Sequence, residues 1–66
     1  MKDRIKMLRK STQKNQTDFG AMMGVSMSAV QKWEMGLSVP SNSVIELMAQ
    51  KTGVNEHWLR TGEGEM

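Results

Sequence analysis

Apolar residues recur at intervals of three and four through most of the chain, which is the spacing of one face of an α-helix. The first such stripe joins Ile5 and Leu8, with Met1 four residues before Ile5. No segment of four or more residues alternates between apolar and polar positions as a half-buried strand does. The pattern therefore predicts an all-α domain of five helices, at about residues 2–12, 16–23, 27–35, 42–52 and 56–60.

Residue types that begin and end helices stand at the edges of these stripes. Polar residues suited to N-caps precede the second to fifth helices: Asn15, Ser26, Ser41 and Asn55. Glycines suited to helix C-termini follow the second, third and fourth: Gly24, Gly36 and Gly53. Beyond the first helix, the residues expected to face the core are Phe19, Met22, Met23, Val25, Val30, Trp33, Val44, Leu47, Met48, Trp58 and Leu59. For Trp58 a dimer contact is the alternative.

Length and composition limit the kind of protein. A chain of 66 residues forms one small domain, which we assign to residues 1–61, with residues 62–66 as a C-terminal tail. There is no cysteine and one histidine, so no metal cluster is available, and no nucleophile–base pair or phosphate loop indicates an enzyme. The longest apolar run is too short to cross a membrane, and the charged N-terminal segment is unlike a signal peptide. We expect a cytoplasmic protein with no cofactor, no membrane contact and no small-molecule substrate.

Charge is distributed unevenly along the chain. Residues 1–32 carry seven basic and two acidic side chains, a balance of +5, whereas residues 33–66 carry two basic and five acidic ones, a balance of −3. A basic half suggests a polyanionic partner such as nucleic acid. An ordinary solvated surface is the alternative interpretation.

The stretch from Gln16 to Gly36 predicts two short helices joined by a tight turn. Gly24 permits the positive φ that a sharp turn needs. Gly20 lies in the middle of the first of these helices and has no side chain, so the second helix can cross it closely. This is the helix-turn-helix arrangement.

The same stretch resembles the helix-turn-helix of the phage Cro/cI repressor family, also called the XRE family. The matching residues are Gln16, Gly20, Gly24-Val25-Ser26, Val30, Trp33-Glu34 and Gly36. The first helix and Pro40 are also similar, and the ending from Val54 to Met66 looks like that of repressor domains in phages and prophages. In relatives with that ending the chain often continues into a linker and a further domain. The resemblance implies a five-helix, lambda-repressor-like fold and a sequence-specific DNA-binding regulator.

Roles for particular residues follow from the resemblance. The third helix would enter the major groove and present four residues to base edges: Met27, Ser28, Gln31 and Lys32. Seven residues are expected at phosphates: Lys6, Lys10, Lys14, Asn15, Gln16, Thr17 and Ser26. The alternative is that Met27 and Gln31 simply face solvent, and that Gln16 is a polar helix start. The chain departs from relatives at three places. Many relatives have a polar residue in place of Met27 and an Asn in place of Met35. Residues 37–40 lack the basic side chain that is common there in relatives.

Arg9 and Glu34 match a pair that bridges the first and third helices in relatives, so a partly buried ion pair is expected. One module buries too little surface for tight specific binding, so a homodimer on a roughly palindromic double-stranded DNA operator is expected. Such a repressor would act by blocking polymerase. The alternative is an antitoxin-type module, which binds a toxin protein and also regulates its own operon.

Overall fold

The computed structural model describes all residues, 1–66, and contains five helices and no strand. These are α1 (Lys2–Ser11), α2 (Gln16–Met23), α3 (Met27–Met35), α4 (Asn42–Thr52) and α5 (Glu56–Thr61). The predicted five-helix, all-α architecture is confirmed. α1 ends one residue before the predicted boundary because Gln13 adopts a positive φ of 60°, a left-handed conformation that no helix can continue through. None of the helices combines the length and apolar character that a membrane crossing needs.

Side-chain caps begin four of the helices where the sequence predicts them. Asn15 Oδ1 accepts a hydrogen bond from the backbone N–H of Asp18 at 2.7 Å. Ser26 and Ser41 accept from the third residue after them, and Asn55 accepts from two N–H groups of α5. Each such cap contributes about 1 kcal/mol, so these polar residues set the helix starts locally.

The core is a single cluster of eleven buried apolar residues drawn from all five helices and the α4–α5 loop. Its members are Ile5, Leu8, Phe19, Met23, Val30, Trp33, Ile45, Met48, Val54, Trp58 and Leu59. Because Trp58 is buried within one molecule, its predicted core role is confirmed. Met1, Met22 and Val25 are partly buried and pack against the edge of the cluster.

The predicted inward face of α4 is confirmed at Met48 but misses Ile45. We expected Val44 and Leu47 beside Met48, but the structure buries Ile45 with Met48, and Val44 and Leu47 are only partly buried and pack against the edge of the cluster. Adjacent apolar residues on a helix lie about 100° apart, so several stripes fit the same run. Packing against α5 and α2 selects the stripe through Ile45.

The turn between α2 and α3 packs closely against Gly20. A Cβ atom built on Gly20 would lie 2.8 Å from the carbonyl oxygen of Val25 and 3.2 Å from that of Ser26. Gly24 makes the turn between them with a φ of 73°. The absence of a side chain at Gly20 therefore lets the turn pass directly over α2, which sets how α3 projects from the domain.

Arg4 joins the two ends of the domain. Its Nε donates to the carbonyl oxygen of Leu59 at 2.9 Å, and its Nη2 donates to that of Arg60 at 3.1 Å. These carbonyls lie in the last turn of α5, where no helical N–H is available to them. Arg4 is thus a cap for α5 and holds α1 against it.

Candidate nucleic-acid interface

One face of α3 is solvent-exposed along its whole length. Ser28, Gln31, Lys32 and Met35 are all exposed, while Val30 and Trp33 on the opposite side are buried. Because Gln31, Lys32 and Met35 follow Ser28 by three, four and seven residues, the four exposed side chains form one stripe on the helix. The side chains of Ser28, Gln31 and Lys32 make no hydrogen bond within the protein. This face therefore projects three free polar groups.

Met27 lies at the first position of α3, next to that stripe. Its side chain is 44% exposed, a large fraction for an apolar residue. The hydroxyl of Ser26, immediately before it, accepts a hydrogen bond from Ala29 N–H at 3.3 Å. Ser26 is therefore engaged as an N-cap, while its own O–H remains available to donate.

The start of α2 has two backbone donors with no partner in the protein. The N–H of Asp18 is capped by Asn15, whereas the N–H groups of Gln16 and Thr17 form no hydrogen bond. Free N–H groups at a helix N-terminus, together with the positive end of the helix dipole, suit an anion such as phosphate. The side chain of Asn15, whose Oδ1 is engaged as the cap, keeps its Nδ2 group free for a contact of that kind.

Arg9 and Glu34 form the bridge between α1 and α3. Arg9 Nε donates to Glu34 Oε2 at 2.6 Å, and Arg9 Nη2 donates to Glu34 Oε1 at 3.1 Å. The two side chains are 14% and 6% exposed. The remaining nitrogen, Nη1, donates to the carbonyl oxygen of Lys14 at 3.1 Å. Arg9 therefore ties α3 to α1 and also to the loop that leads into α2.

Both groups of this pair have shifted pKa values. Hydrogen bonding to Glu34 raises the pKa of Arg9 despite the opposing effect of burial. Burial by itself raises the pKa of Glu34. The hydrogen bonds from Arg9 and Gln16, with the positive charges of Arg9 and Lys6, outweigh that effect and lower the pKa of Glu34 below its ordinary value. The pair is therefore fully charged near neutral pH.

Gln16 belongs to the same network, a contact that sequence reasoning missed. Its Nε2 donates to Glu34 Oε1 at 3.2 Å, so the half-buried amide of α2 is anchored to α3. The two residues are 18 positions apart and lie on different helices. No local pattern in the sequence signals this bond.

Three lysines predicted at phosphates lie on α1 and in the loop before α2, and none of them forms an ion pair. Lys14 is half-buried and lies two residues before Gln16, while Lys6 and Lys10 are exposed on α1. Lys6 is close enough to Glu34 for its charge to lower the pKa of that carboxylate. None of the three ammonium groups pairs with a carboxylate of the protein. These three positive charges are therefore available to an anionic ligand.

The helix-turn-helix profile matches residues 5–59, which include α2, the turn and α3. The chain belongs to the helix-turn-helix family. It is 36% identical over 47 residues, 71% of its length, to an uncharacterized helix-turn-helix-type transcriptional regulator of Haemophilus influenzae. The chain spans 20% of the length of that relative. No solved structure matches it significantly. The predicted relationship to helix-turn-helix proteins is confirmed at the level of the family.

Proposed function

We propose that the chain is the DNA-binding part of a sequence-specific transcriptional regulator of the Cro/cI type, a phage or prophage repressor. One observation carries this proposal. The exposed face of α3 presents Ser28, Gln31 and Lys32 without internal partners, next to a helix start with two free N–H groups. A recognition helix and a phosphate anchor in that arrangement match the docking of helix-turn-helix domains on duplex DNA. The chain acts by binding, with no chemical step.

Base recognition falls to the first two turns of α3. The Gln31 amide can pair with the N6 and N7 groups of adenine, and the Lys32 ammonium can donate to O6 or N7 of guanine. Ser28 can donate or accept. The Met27 side chain cannot form hydrogen bonds with base edges, but it is exposed and can contact a thymine methyl group. We propose these four residues as the determinants of sequence preference.

Phosphate binding falls to the start of α2 and to basic side chains of α1 and of the loop before α2. The Gln16 and Thr17 N–H groups can hold one phosphate, with the Gln16 amide beside them. The other predicted contacts, through Lys6, Lys10, Lys14, Asn15 and Ser26, would fix the domain along the backbone. Each neutralised phosphate releases counterions, so affinity would fall steeply with added salt.

We propose that two copies bind a roughly palindromic operator. A single small module buries too little surface to reach the affinity of specific repressors. Two copies related by a two-fold axis would place their α3 helices in successive major grooves, about 34 Å apart. Binding at a promoter would then exclude polymerase.

A second candidate is the antitoxin-type module, which one observation favours. Leu37 and Val39, in the loop after α3, are 68% and 72% exposed. They border an open groove of about 500 Å³ whose lining also includes Ile5 and Trp33. Exposed apolar surface of this kind can serve protein contacts. Tight, salt-insensitive binding to a protein, in place of salt-sensitive binding to DNA, would favour this candidate.

Selection of bound duplexes from a random pool at physiological salt tests the repressor proposal. The wild type should enrich a palindromic site, and Lys32→Ala and Met27→Ala should each change the preferred base at one position in each half-site. Lys51→Ala removes an exposed lysine at the far end of α4 and is the matched control, with an unchanged site. Enrichment of no sequence would contradict specific recognition by α3.

A further inference from the structure

Glu34 contacts two of the elements that the proposed phosphate site needs. Its Oε1 accepts hydrogen bonds from Arg9 Nη2 at 3.1 Å and from Gln16 Nε2 at 3.2 Å. Its other oxygen accepts from Arg9 Nε at 2.6 Å. Glu34 itself projects from α3 toward the interior, with 6% of its side chain exposed, so it cannot reach DNA directly.

We propose that Glu34 is a positioning residue for phosphate binding, acting through Gln16 and, by way of Arg9, through the loop before α2. This inference rests on the proposed function. It gives the Arg9–Glu34 pair a role in DNA affinity that is separate from its contribution to stability.

Glu34 acts first through the geometry of the Gln16 amide. A primary amide is planar, so once one of its N–H bonds is directed at Glu34 Oε1, the direction of the other is restricted. The second N–H and the adjacent backbone N–H of Gln16 have no partner in the protein. A free glutamine side chain loses rotamer freedom when it binds a ligand, whereas an anchored one has already lost most of it. The tether therefore preorganises the amide as a phosphate donor.

Glu34 acts second through Arg9, which holds the loop before α2. Its Nη1 donates to the carbonyl oxygen of Lys14 at 3.1 Å, while its other two nitrogens are held by Glu34. Lys14 lies directly before Asn15, the N-cap of α2. The loop that carries Lys14 and leads to the free N–H groups is thus pinned to the same carboxylate. Both sides of the proposed phosphate site depend on one buried group.

The test is a mutant cycle that separates positioning from stability. Gln16→Ala is measured in the wild type and in Arg9→Met/Glu34→Leu, which removes both charges and keeps the net charge constant. The matched control background is Glu56→Leu/Arg60→Met, which removes the exposed pair on α5, whose N–O distance is 3.0 Å. The probe is a short fluorescein-labelled duplex of mixed sequence, titrated at several salt concentrations. Phosphate contacts suffice for such binding, so no operator is needed.

In the wild type and in the control background, Gln16→Ala should weaken duplex binding about tenfold, as expected for a hydrogen bond to a charged group. In Arg9→Met/Glu34→Leu the same change should cost less than about threefold, because the amide is no longer held. Equal losses in all three backgrounds, with every variant melting cooperatively, would overturn the positioning role. A wild type without salt-sensitive duplex binding would instead overturn the proposed function.

A second readout does not depend on DNA. Nitrogen-15 relaxation of the Gln16 side-chain amide reports its motion directly. We expect an ordered amide in the wild type and a mobile one in Arg9→Met/Glu34→Leu, where no acceptor remains at position 34, with an exposed glutamine such as Gln50 mobile in every variant. A mobile Gln16 amide in the wild type would overturn the proposal.

Discussion

Replacing Arg9 while leaving Glu34 in place isolates the energetic role of the buried pair. Arg9→Met removes two hydrogen bonds to Glu34 and one to the Lys14 carbonyl, and it leaves a carboxylate whose side chain is 6% exposed. Breaking a buried ion pair from one side costs about 3–5 kcal/mol, and the Gln16 hydrogen bond and the charge of Lys6, which stay with Glu34, favour the lower end of that range. The whole domain, at 66 residues, has a free energy of unfolding of about 3–10 kcal/mol. Arg9→Met should therefore lower the melting temperature by roughly 12 °C or more.

Urea unfolding followed by circular dichroism at neutral pH measures this loss. Arg9→Met/Glu34→Leu removes both charges and should be within about 1 kcal/mol of the wild type, because apolar residues can replace a buried pair. Arg60→Met breaks a partly exposed pair, in which the two side chains are 31% and 41% exposed, together with an exposed hydrogen bond to Asn42 Oδ1, and it should cost about 1 kcal/mol. A cost below about 1 kcal/mol for Arg9→Met, or a double variant as unstable as the single one, would refute the reasoning.

Three further predictions concern backbone strain, phosphate binding and pH. Gln13→Gly should raise the free energy of unfolding by about 1 kcal/mol, because Gln13 has a φ of 60° and glycine adopts that conformation without strain. Gln50→Gly, within α4, should lower the free energy of unfolding by about as much, and thermal melts compare the two variants. Lys10→Ala should reduce the salt slope of DNA binding by about one, and an unchanged slope, equal to that of Lys51→Ala, would contradict its phosphate role. Because the pKa of Glu34 is lowered, its stabilising effect is lost as pH falls below 4.5, so acid titration should destabilise the wild type more steeply than Arg9→Met/Glu34→Leu.

Helix boundaries were predictable because the signals that set them are local. Asn15 and Ser26 cap α2 and α3 through backbone N–H groups three residues away, so a short window of sequence contains both partners. The turn at Gly24 depends on the conformational freedom of one residue. The left-handed conformation of Gln13 could not be predicted in this way, because glutamine has no preference for positive φ and the surrounding structure imposes that conformation.

The candidate interface was predictable in part. The exposure of Gln31 and Lys32 follows from helical periodicity once Val30 and Trp33 are assigned to the core. The resemblance to relatives indicated the Arg9–Glu34 pair. The bond from Gln16 to that pair could not be found in this way, because it depends on the angle and distance at which α2 and α3 pack.

By itself, the sequence determined five helices, their caps, the tight turn at Gly24 and the basic character of the first half, because each depends on residue type or on spacing within one or two helical turns. The tertiary structure alone decided which stripe of α4 is buried, how Arg4 caps α5, and where the Gln16 amide is held. Those features depend on distances between segments far apart in the chain. Such distances follow from packing the whole core at once, and small residues such as Gly20 set how closely the helices approach.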